Sequence, residues 1–135
     1  MNIPADLKYT KNDEWICVEG GAGRPLSAAA AGITDYAQEA LADIVYVELP
    51  HTGDSLSQGQ SFGSIESVKA ASEIYMPAGG TITAVNGSLS AAPEQVNKDP
   101  YGAGWMIRFT LANPAELDSL MDPAAYQAYC EERKH

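Results

Sequence analysis

The sequence predicts a mainly β domain, a sandwich or barrel of short strands with helices at its periphery. Runs of strand-favouring residues recur at close, regular spacing and are separated by Gly- and Pro-containing turns, which is typical of such folds. The chain of 135 residues has the length of a single domain. No stretch approaches the roughly 20 consecutive apolar residues that a membrane-spanning helix needs.

The predicted strands fall in seven runs: residues 15–19, 44–49, 55–56, 61–65, 74–76, 81–85 and 105–111. Asn86-Gly87, directly after the sixth run, predicts a tight hairpin turn. Gly and Pro in residues 20–25 predict a loop. In residues 26–31 the alanines favour helix, but six residues leave little room for one.

Four short helices are predicted around these strands. Thr34 or Asp35 caps the first, and Gln38 lies at the capping-box spacing after Asp35. Ile33, Ala37 and Leu41 line one face of this helix, with Tyr36 and Ala40 beside it. A second short helix is expected at residues 93–97. Asn113 and Asp122, each followed by proline, predict helices that run to about Met121 and about Arg133.

Composition excludes several classes of function. The net charge of -10, from 18 acidic and 8 basic residues, would repel a phosphate backbone. The same charge either keeps the protein soluble or steers it to basic partners. Cys17 and Cys130 have no CxxC partner and only two histidines accompany them, so we expect no metal site and no catalytic residue. Free thiols suit a reducing compartment.

Lys69 lies between two predicted strands, residues 61–65 and 74–76, which a short polar segment joins. Such a pattern predicts a hairpin with the lysine at its solvent-exposed tip. An exposed lysine is most often only a solvated charge. Its small neighbours Ala70, Ala71 and Ser72 would leave room for an enzyme to grip the tip.

Residues 66–73, Glu-Ser-Val-Lys-Ala-Ala-Ser-Glu, resemble the lipoyl-attachment motif of the glycine cleavage system H proteins. The resemblance continues in the same order over nearly the whole chain. It includes Lys8-Tyr9, Glu14-Trp15, Gly32-Ile33-Thr34-Asp35 with Ala37-Gln38, Val47-Glu48-Leu49-Pro50, Val85-Asn86, Pro100-Tyr101 and Gly104-Trp105-Met106-Ile107.

This resemblance implies a fold, a lipoyl/biotinyl-type barrel-sandwich hybrid of two antiparallel sheets. Lys69 would lie on a hairpin tip and the C-terminal helices would pack on the sheet edge. One carrier domain would span residues 1–135, with a core at about 15–111 and a helical extension at about 114–133. The resemblance also implies a strand where the alanines of residues 26–31 favour helix.

The function implied is that of a non-catalytic carrier with lipoate attached covalently to Lys69 as N6-lipoyl-lysine. The arm would receive an aminomethyl group from glycine decarboxylase (P protein) and deliver it to the aminomethyltransferase (T protein). Dihydrolipoyl dehydrogenase (L protein) would then reoxidise the arm. A lipoate ligase or lipoyl transferase would modify Lys69. We expect a monomer without nucleic-acid or membrane partners, in the bacterial cytoplasm, or in the mitochondrial matrix if the chain is a processed form.

A loaded arm would carry a cationic amine and would benefit from a docking site with a carboxylate and an apolar wall. By the resemblance, Glu14 is the first candidate for the carboxylate and Glu73 the second, and Ile33 and Tyr36 could supply the wall. The chain departs from the family at two positions. Asp13 and Tyr36 stand where the family commonly has histidine.

Other carriers fit the sequence less well. Biotin carriers flank their lysine with methionine, whereas Val68 and Ala70 stand here. Lipoyl domains of 2-oxoacid dehydrogenases normally precede a large acyltransferase domain, whereas these 135 residues have the length of a single domain. Two alternatives stay open at this point: an H-like carrier that relays lipoyl groups to other proteins, and an unmodified binding module.

Overall fold

The computed structural model describes residues 1–18 and 28–133, and within them two antiparallel sheets form the body of the protein. The strands are β1 (Lys8–Tyr9), β2 (Glu14–Val18), β3 (Ala28–Ile33), β4 (Ile44–Glu48), β5 (Ser55–Leu56), β6 (Ser61–Ser67), β7 (Ala71–Tyr75), β8 (Gly80–Val85) and β9 (Ile107–Leu111). One sheet has the order β1-β2-β3-β9-β8-β5 and the other β4-β6-β7. The predicted mainly β architecture of two antiparallel sheets is confirmed.

The helices of the described residues lie outside the two sheets. They are α1 (Asp35–Leu41), α2 (Gln95–Lys98) and α3 (Pro123–Glu132), with 3-10 helices at Gly87–Ser90 and Pro114–Ser119. None of these helices has the length and apolar character needed to cross a membrane.

The main core lies between the two sheets and follows the period-two alternation of the strands. In β9, Ile107, Phe109 and Leu111 are buried, while Arg108 and Thr110 are exposed. A second cluster on the other side of the larger sheet contains Leu7, Tyr9, Trp15, Ala30, Tyr126 and Cys130. The C-terminal helix α3 therefore packs onto the sheet, as the resemblance implied.

Alanines 28–31 are the first four residues of strand β3, which pairs with β2 on one side and β9 on the other. Helix propensity is overridden because the strand supplies backbone hydrogen bonds to both neighbours at the centre of the sheet. Small side chains also suit the crowding here, since a Cβ at Gly32 would lie 2.9 Å from Trp15 Nε1. The predicted loop at residues 20–25, with Glu19, Leu26 and Ser27 beside it, lies outside the described residues.

Helix α1 is capped by Thr34, whose side chain accepts a hydrogen bond from the Ala37 N–H at 3.2 Å. The predicted capping box between Asp35 and Gln38 is wrong. Gln38 instead donates from Nε2 to Asp35 Oδ1 at 2.6 Å, within the helix. The face predicted to be apolar packs on the core through Ile33, Ala37 and Leu41.

The predicted hairpin turn at Asn86-Gly87 is also wrong. Strand β8 is followed by the 3-10 helix Gly87–Ser90, and its partner β9 begins only at Ile107. The Asn86 side chain donates hydrogen bonds of 2.8 Å to the carbonyls of Ala103 and Trp105. Its amide therefore closes the returning loop rather than a two-residue turn.

The C-terminal signals are confirmed as caps, although one helix differs in type. Asn113 caps a 3-10 helix rather than an α-helix, and Asp122 caps α3 by accepting from the Ala125 N–H at 2.8 Å. Tyr126 of α3 stacks on Tyr9 with ring centroids 4.6 Å apart. This stack attaches the helix to the short strand β1.

Candidate functional site

Lys69 lies in the three-residue turn that joins β6 to β7, and its side chain is exposed. The strands extend closer to the lysine than predicted, with Glu66 paired to Ala71. The Ser67 N–H donates to the Ala70 carbonyl at 2.8 Å. Ser67 Oγ accepts from the N–H groups of Lys69 and Ala70, each at 3.1 Å. The backbone below the lysine is therefore fixed, whereas its side chain is left in solvent.

The turn is also attached to the residue that precedes strand β4, so the hairpin does not project alone. The Val68 N–H donates to the Asp43 carbonyl at 3.0 Å. Lower in the hairpin, Gly63 packs directly against the Glu48 carbonyl and leaves no room for a Cβ. These contacts hold the lysine-bearing turn at the end of a three-stranded sheet.

A cleft of about 170 Å³ lies between the smaller sheet, α1 and the start of β2. It brings together three of the predicted docking residues, Glu14, Ile33 and Glu73. Apolar side chains form much of its wall: Ile33, Ala37, Ala40, Leu41, Ile65 and Ile74. Tyr36, the fourth predicted residue, does not line this cleft. Its ring lies under the Arg133 guanidinium, 4.2 Å from the centroid.

Glu14 is a buried acid in this cleft, with only 2% of its surface exposed. Its Oε1 accepts from Thr10 Oγ1 at 2.6 Å and its Oε2 from the Tyr75 N–H at 3.3 Å. Burial raises the pKa of Glu14 to about 7, although both hydrogen bonds oppose the shift. Near neutral pH the carboxyl group therefore exists in both protonation states.

Glu73 differs from Glu14 because it is exposed at the rim of the cleft. Its Oε2 accepts a hydrogen bond from Ser61 Oγ at 3.1 Å. The cleft thus combines one buried and one exposed carboxyl group with an apolar wall. Such a site can bind a small group that carries an amine, since the amine finds a carboxylate and the carbon atoms find apolar surface.

Sequence reasoning missed a charged network directly beside Glu14. Arg133 donates from Nη1 to Asp13 Oδ2 at 3.1 Å and from Nη2 to Asp13 Oδ1 at 2.6 Å. Tyr126 donates its hydroxyl to Asp13 Oδ1 at 2.8 Å. The sequence marked Asp13 and Tyr36 as departures from the family, but nothing in it joined either residue to the C-terminal end of α3.

A two-sheet antiparallel domain that presents a lysine on a fixed hairpin turn defines a carrier domain of the lipoyl/biotinyl type. Comparison with known proteins identifies the family within this class. The family model described as glycine cleavage H-protein matches residues 7–133. The chain belongs to this family, the lipoyl carriers of the glycine cleavage system.

Individual relatives agree with this assignment. The glycine cleavage system H protein of Symbiobacterium thermophilum is 51% identical over 131 residues, which cover 97% of this chain and 98% of the relative. That of Anaeromyxobacter sp. is 50% identical over 134 residues, covering 99% and 100%. The crystal structure of the Mycobacterium marinum H protein aligns with a TM-score of 0.79 at 35% identity, covering 98% of this chain and 100% of that chain.

Proposed function

We propose that Lys69 carries the covalent lipoyl group, and that the protein carries the aminomethyl group of glycine from glycine decarboxylase to the aminomethyltransferase. Dihydrolipoyl dehydrogenase then reoxidises the arm. The observation that carries the proposal is the position of Lys69, exposed in a turn that is fixed because the backbone N–H groups of Lys69 and Ala70 both donate to Ser67 Oγ. Within residues 1–18 and 28–133 the side-chain ion pair is Asp13–Arg133, so Lys69 has no ion-pair partner among these residues.

The protein acts as a carrier rather than as a catalyst in this proposal. A lipoyl group would supply a cyclic disulfide that other enzymes reductively load, unload to leave a dithiol, and reoxidise. The protein supplies display and protection. The rigid turn fixes the lysine backbone, while the flexible stem of the side chain lets the arm swing between partners.

The cleft beside Glu14 is the proposed resting place of the loaded arm. Glu14 and Glu73 would face the cationic amine, and Ile33 would contact the apolar part of the arm. A cation near Glu14 favours the ionised form of its carboxyl group. Tyr36 does not line this cleft, and its ring packs against Arg133.

The remaining partners follow from the same proposal. A lipoate ligase or lipoyl transferase attaches the lipoyl group to Lys69. The relatives named above are bacterial proteins, which supports a cytoplasmic location. The protein works as a monomer that visits each enzyme in turn.

The decisive experiment is the intact mass of the protein purified from its native cells, followed by peptide mapping. We expect one lipoyl group, on the peptide that contains Lys69. Lys69→Arg keeps the charge but removes the amine that forms the amide, so it should abolish modification. Lys98→Arg is the matched control and should be modified like the wild type. Lipoate on the Lys69→Arg protein, or an unmodified native protein, would contradict the proposal.

A reconstitution then tests the cycle itself. Lipoylated protein is mixed with glycine, tetrahydrofolate and the three partner enzymes. Turnover that depends on the lipoylated protein supports the glycine cleavage role. Lipoylated protein that fails to support turnover but donates its lipoyl group to other proteins would favour the relay alternative.

A further inference from the structure

An exposed apolar patch lies at the same end of the smaller sheet as Lys69. It consists of Val45, Tyr46 and Val68, whose exposed fractions are 54%, 51% and 65%. A register shift between Ile44 and Tyr46 explains why two consecutive apolar residues of one strand are both exposed. Regular alternation would have buried one of them.

The patch is bordered by carboxylates. Tyr46 pairs with Glu66 across the sheet, and the Asp43 carbonyl accepts from the Val68 N–H. Glu48 follows two residues after Tyr46 and is exposed. The ion pair found within the described ranges, Asp13–Arg133, involves none of these acids. A partner that covers the patch therefore needs apolar side chains at its centre and basic side chains around them.

We infer that this patch, Val45, Tyr46 and Val68 with its acidic border, is the docking surface for the enzyme that attaches the lipoyl group to Lys69. The inference rests on the proposed modification of Lys69. Amide formation brings the active site of that enzyme to the end of the bare lysine side chain, so its surface must cover the turn and its neighbours. The finished arm carries its reacting sulfur atoms farther from the backbone, so enzymes that act on it need less contact with the turn than the enzyme that reacts with the bare lysine amine.

The test is the rate of lipoate attachment to the unmodified full chain by the attaching enzyme. Tyr46→Ser should raise KM and lower kcat/KM about tenfold, as removal of a central interface aromatic does. Glu48→Gln should lower kcat/KM at low salt and lose this effect at high salt. Glu132→Gln, which removes an exposed carboxylate at the far end of α3, is the control and should match the wild type.

The outcomes separate this inference from the proposed function. Wild-type protein that is never lipoylated would contradict the proposed function. Wild-type protein that is lipoylated no faster than Tyr46→Ser and Glu48→Gln would overturn the docking surface. Normal attachment combined with impaired loading by the decarboxylase would also overturn it, because another enzyme would then be the occupant.

A separate observation concerns the C-terminal end of α3. The guanidinium of Arg133 lies between two rings, 4.2 Å from the centroid of Tyr36 and 4.0 Å from that of Tyr129. It donates to both oxygens of Asp13. Both positions at which the chain departs from the usual histidines, Asp13 and Tyr36, thus contact this one arginine.

Asp13 has an unusual backbone conformation for a residue other than glycine, with φ at 67°. This left-handed region is unfavourable for an aspartate unless its surroundings hold it there. Its carbonyl accepts from the Thr34 N–H at 2.9 Å, and its N–H donates to the Thr10 carbonyl at 3.2 Å. The backbone conformation of Asp13 therefore sets the direction in which the chain enters Glu14, the next residue.

We infer that Arg133 is a positioning residue for Glu14. By holding Asp13, it fixes the turn of residues 10–14 and keeps the Glu14 carboxyl group inside the cleft. That the Glu14 carboxyl group binds the loaded arm from this position rests on the proposed function. The position itself can be measured in protein without lipoate.

The pKa of Glu14 tests this role, because loss of the Arg133 charge and relaxation of the turn would shift that pKa in opposite directions. If only a positive charge is lost, the pKa of Glu14 rises, since its anion loses attraction and Asp13 loses its counter-charge. If the turn relaxes, Glu14 becomes solvated and its pKa falls towards that of an exposed glutamate. The other titratable groups that line the cavities on either side of Glu14 are Tyr9, Lys11, Asp13 and Glu73.

The experiment is a carbon-13 NMR titration of the Glu14 carboxyl group in unlipoylated protein. Arg133→Met and Arg133→Lys should each lower the pKa of Glu14 by about one unit, a tenfold change in proton affinity. Arg133→Lys keeps the charge, so it serves if Arg133→Met does not fold. The control is Lys98→Met, which removes an exposed positive charge from α2 and should leave the pKa of Glu14 unchanged. An unchanged or raised pKa in the folded arginine variants would overturn the inference.

Discussion

The Tyr75 N–H donates to Glu14 Oε2 at 3.3 Å, and this bond joins the strand that returns from Lys69 to the buried acid of the larger sheet. Glu73, on the same strand, lies four residues beyond Lys69, which corresponds to about 13 Å along an extended chain. Strand β7 therefore leads directly from the lysine turn to the cleft. An arm attached at the turn needs only to fold back along this strand to reach both carboxyl groups.

The lysine must occupy the correct position within the turn. In the double variant Val68→Lys with Lys69→Ala, net charge is unchanged but the amine moves by one residue. The Val68 backbone is held by its bond to the Asp43 carbonyl, so the turn cannot easily rotate to restore the original direction. We expect lipoate attachment at least about tenfold slower, a difference of about 1.4 kcal/mol.

Two single variants complete this measurement. Lys69→Ala should show no attachment, and Val68→Lys, which keeps Lys69, reports what the loss of valine does by itself. Attachment to the double variant at the wild-type rate would mean that the enzyme does not read the position of the lysine.

The acidic surface should contribute to binding of the decarboxylase. Attraction between exposed charges is screened beyond about 10 Å at about 0.1 M salt. With a net charge of -10, the lipoylated protein should therefore bind about tenfold more weakly at high salt than at low salt. Titration calorimetry over a range of sodium chloride concentrations measures this. Binding that does not change with salt would assign the charge to solubility alone.

The free energy of unfolding should depend on pH through the protonation of Glu14. Its pKa is about 7 in the folded protein and 4.5 in the unfolded chain, so the folded state binds more protons between these values. The unfolding free energy contributed by Glu14 is therefore greatest below pH 4.5 and decreases as the pH rises towards 7, by roughly 3 kcal/mol in total. Above that range the contribution stays constant.

Urea unfolding of the wild type and Glu14→Gln across this pH range isolates the contribution. The wild type should lose stability relative to Glu14→Gln as the pH rises. Glu73→Gln changes the exposed carboxylate of the same cleft and is the matched control. If the unfolding free energies of the wild type and Glu14→Gln differ by the same amount at all pH values, folding does not shift the pKa of Glu14.

Local sequence signals predicted much of the fold, because the features concerned depend on neighbours in the chain. The hairpin around Lys69 follows from strand-favouring runs on either side of a short polar segment. The cap of α3 follows from Asp122-Pro123, where a side chain and a fixed φ act within one turn. The resemblance to a family, rather than propensity, indicated the strand at residues 28–31.

Features that depend on distant residues could not be predicted in this way. Asn86-Gly87 has the composition of a hairpin turn, but the carbonyls that Asn86 binds lie 17 and 19 residues further on. Arg133 and Asp13 are 120 residues apart. For the cleft, the resemblance named Glu14, Ile33 and Glu73, which the structure brings together, and Tyr36, which it places beside Arg133.

The cleft should protect the loaded arm from water. Attack of water on the aminomethyl carbon would release formaldehyde and ammonia. An amine and a carboxylate 4 Å apart attract by about 4 kcal/mol at an effective dielectric constant of 20. Desolvation removes much of this, which leaves about 1 kcal/mol. Glu14→Ala should therefore release formaldehyde about fivefold faster than the wild type, and Glu73→Ala should have a smaller effect because Glu73 is exposed.

The pH dependence of this release identifies the group responsible. Glu14 is ionised above its pKa of about 7, so wild-type protection should weaken as the pH falls through this value. In Glu14→Gln, which keeps the size of the side chain but cannot ionise, the release rate should follow only the intrinsic chemistry of the aminomethyl group. The ratio of the two rates, measured on proteins with equal lipoylation, should therefore approach one in acid and be greatest above pH 7. A ratio that does not vary with pH would mean that the charge of Glu14 does not hold the arm, even if Glu14→Ala loses protection.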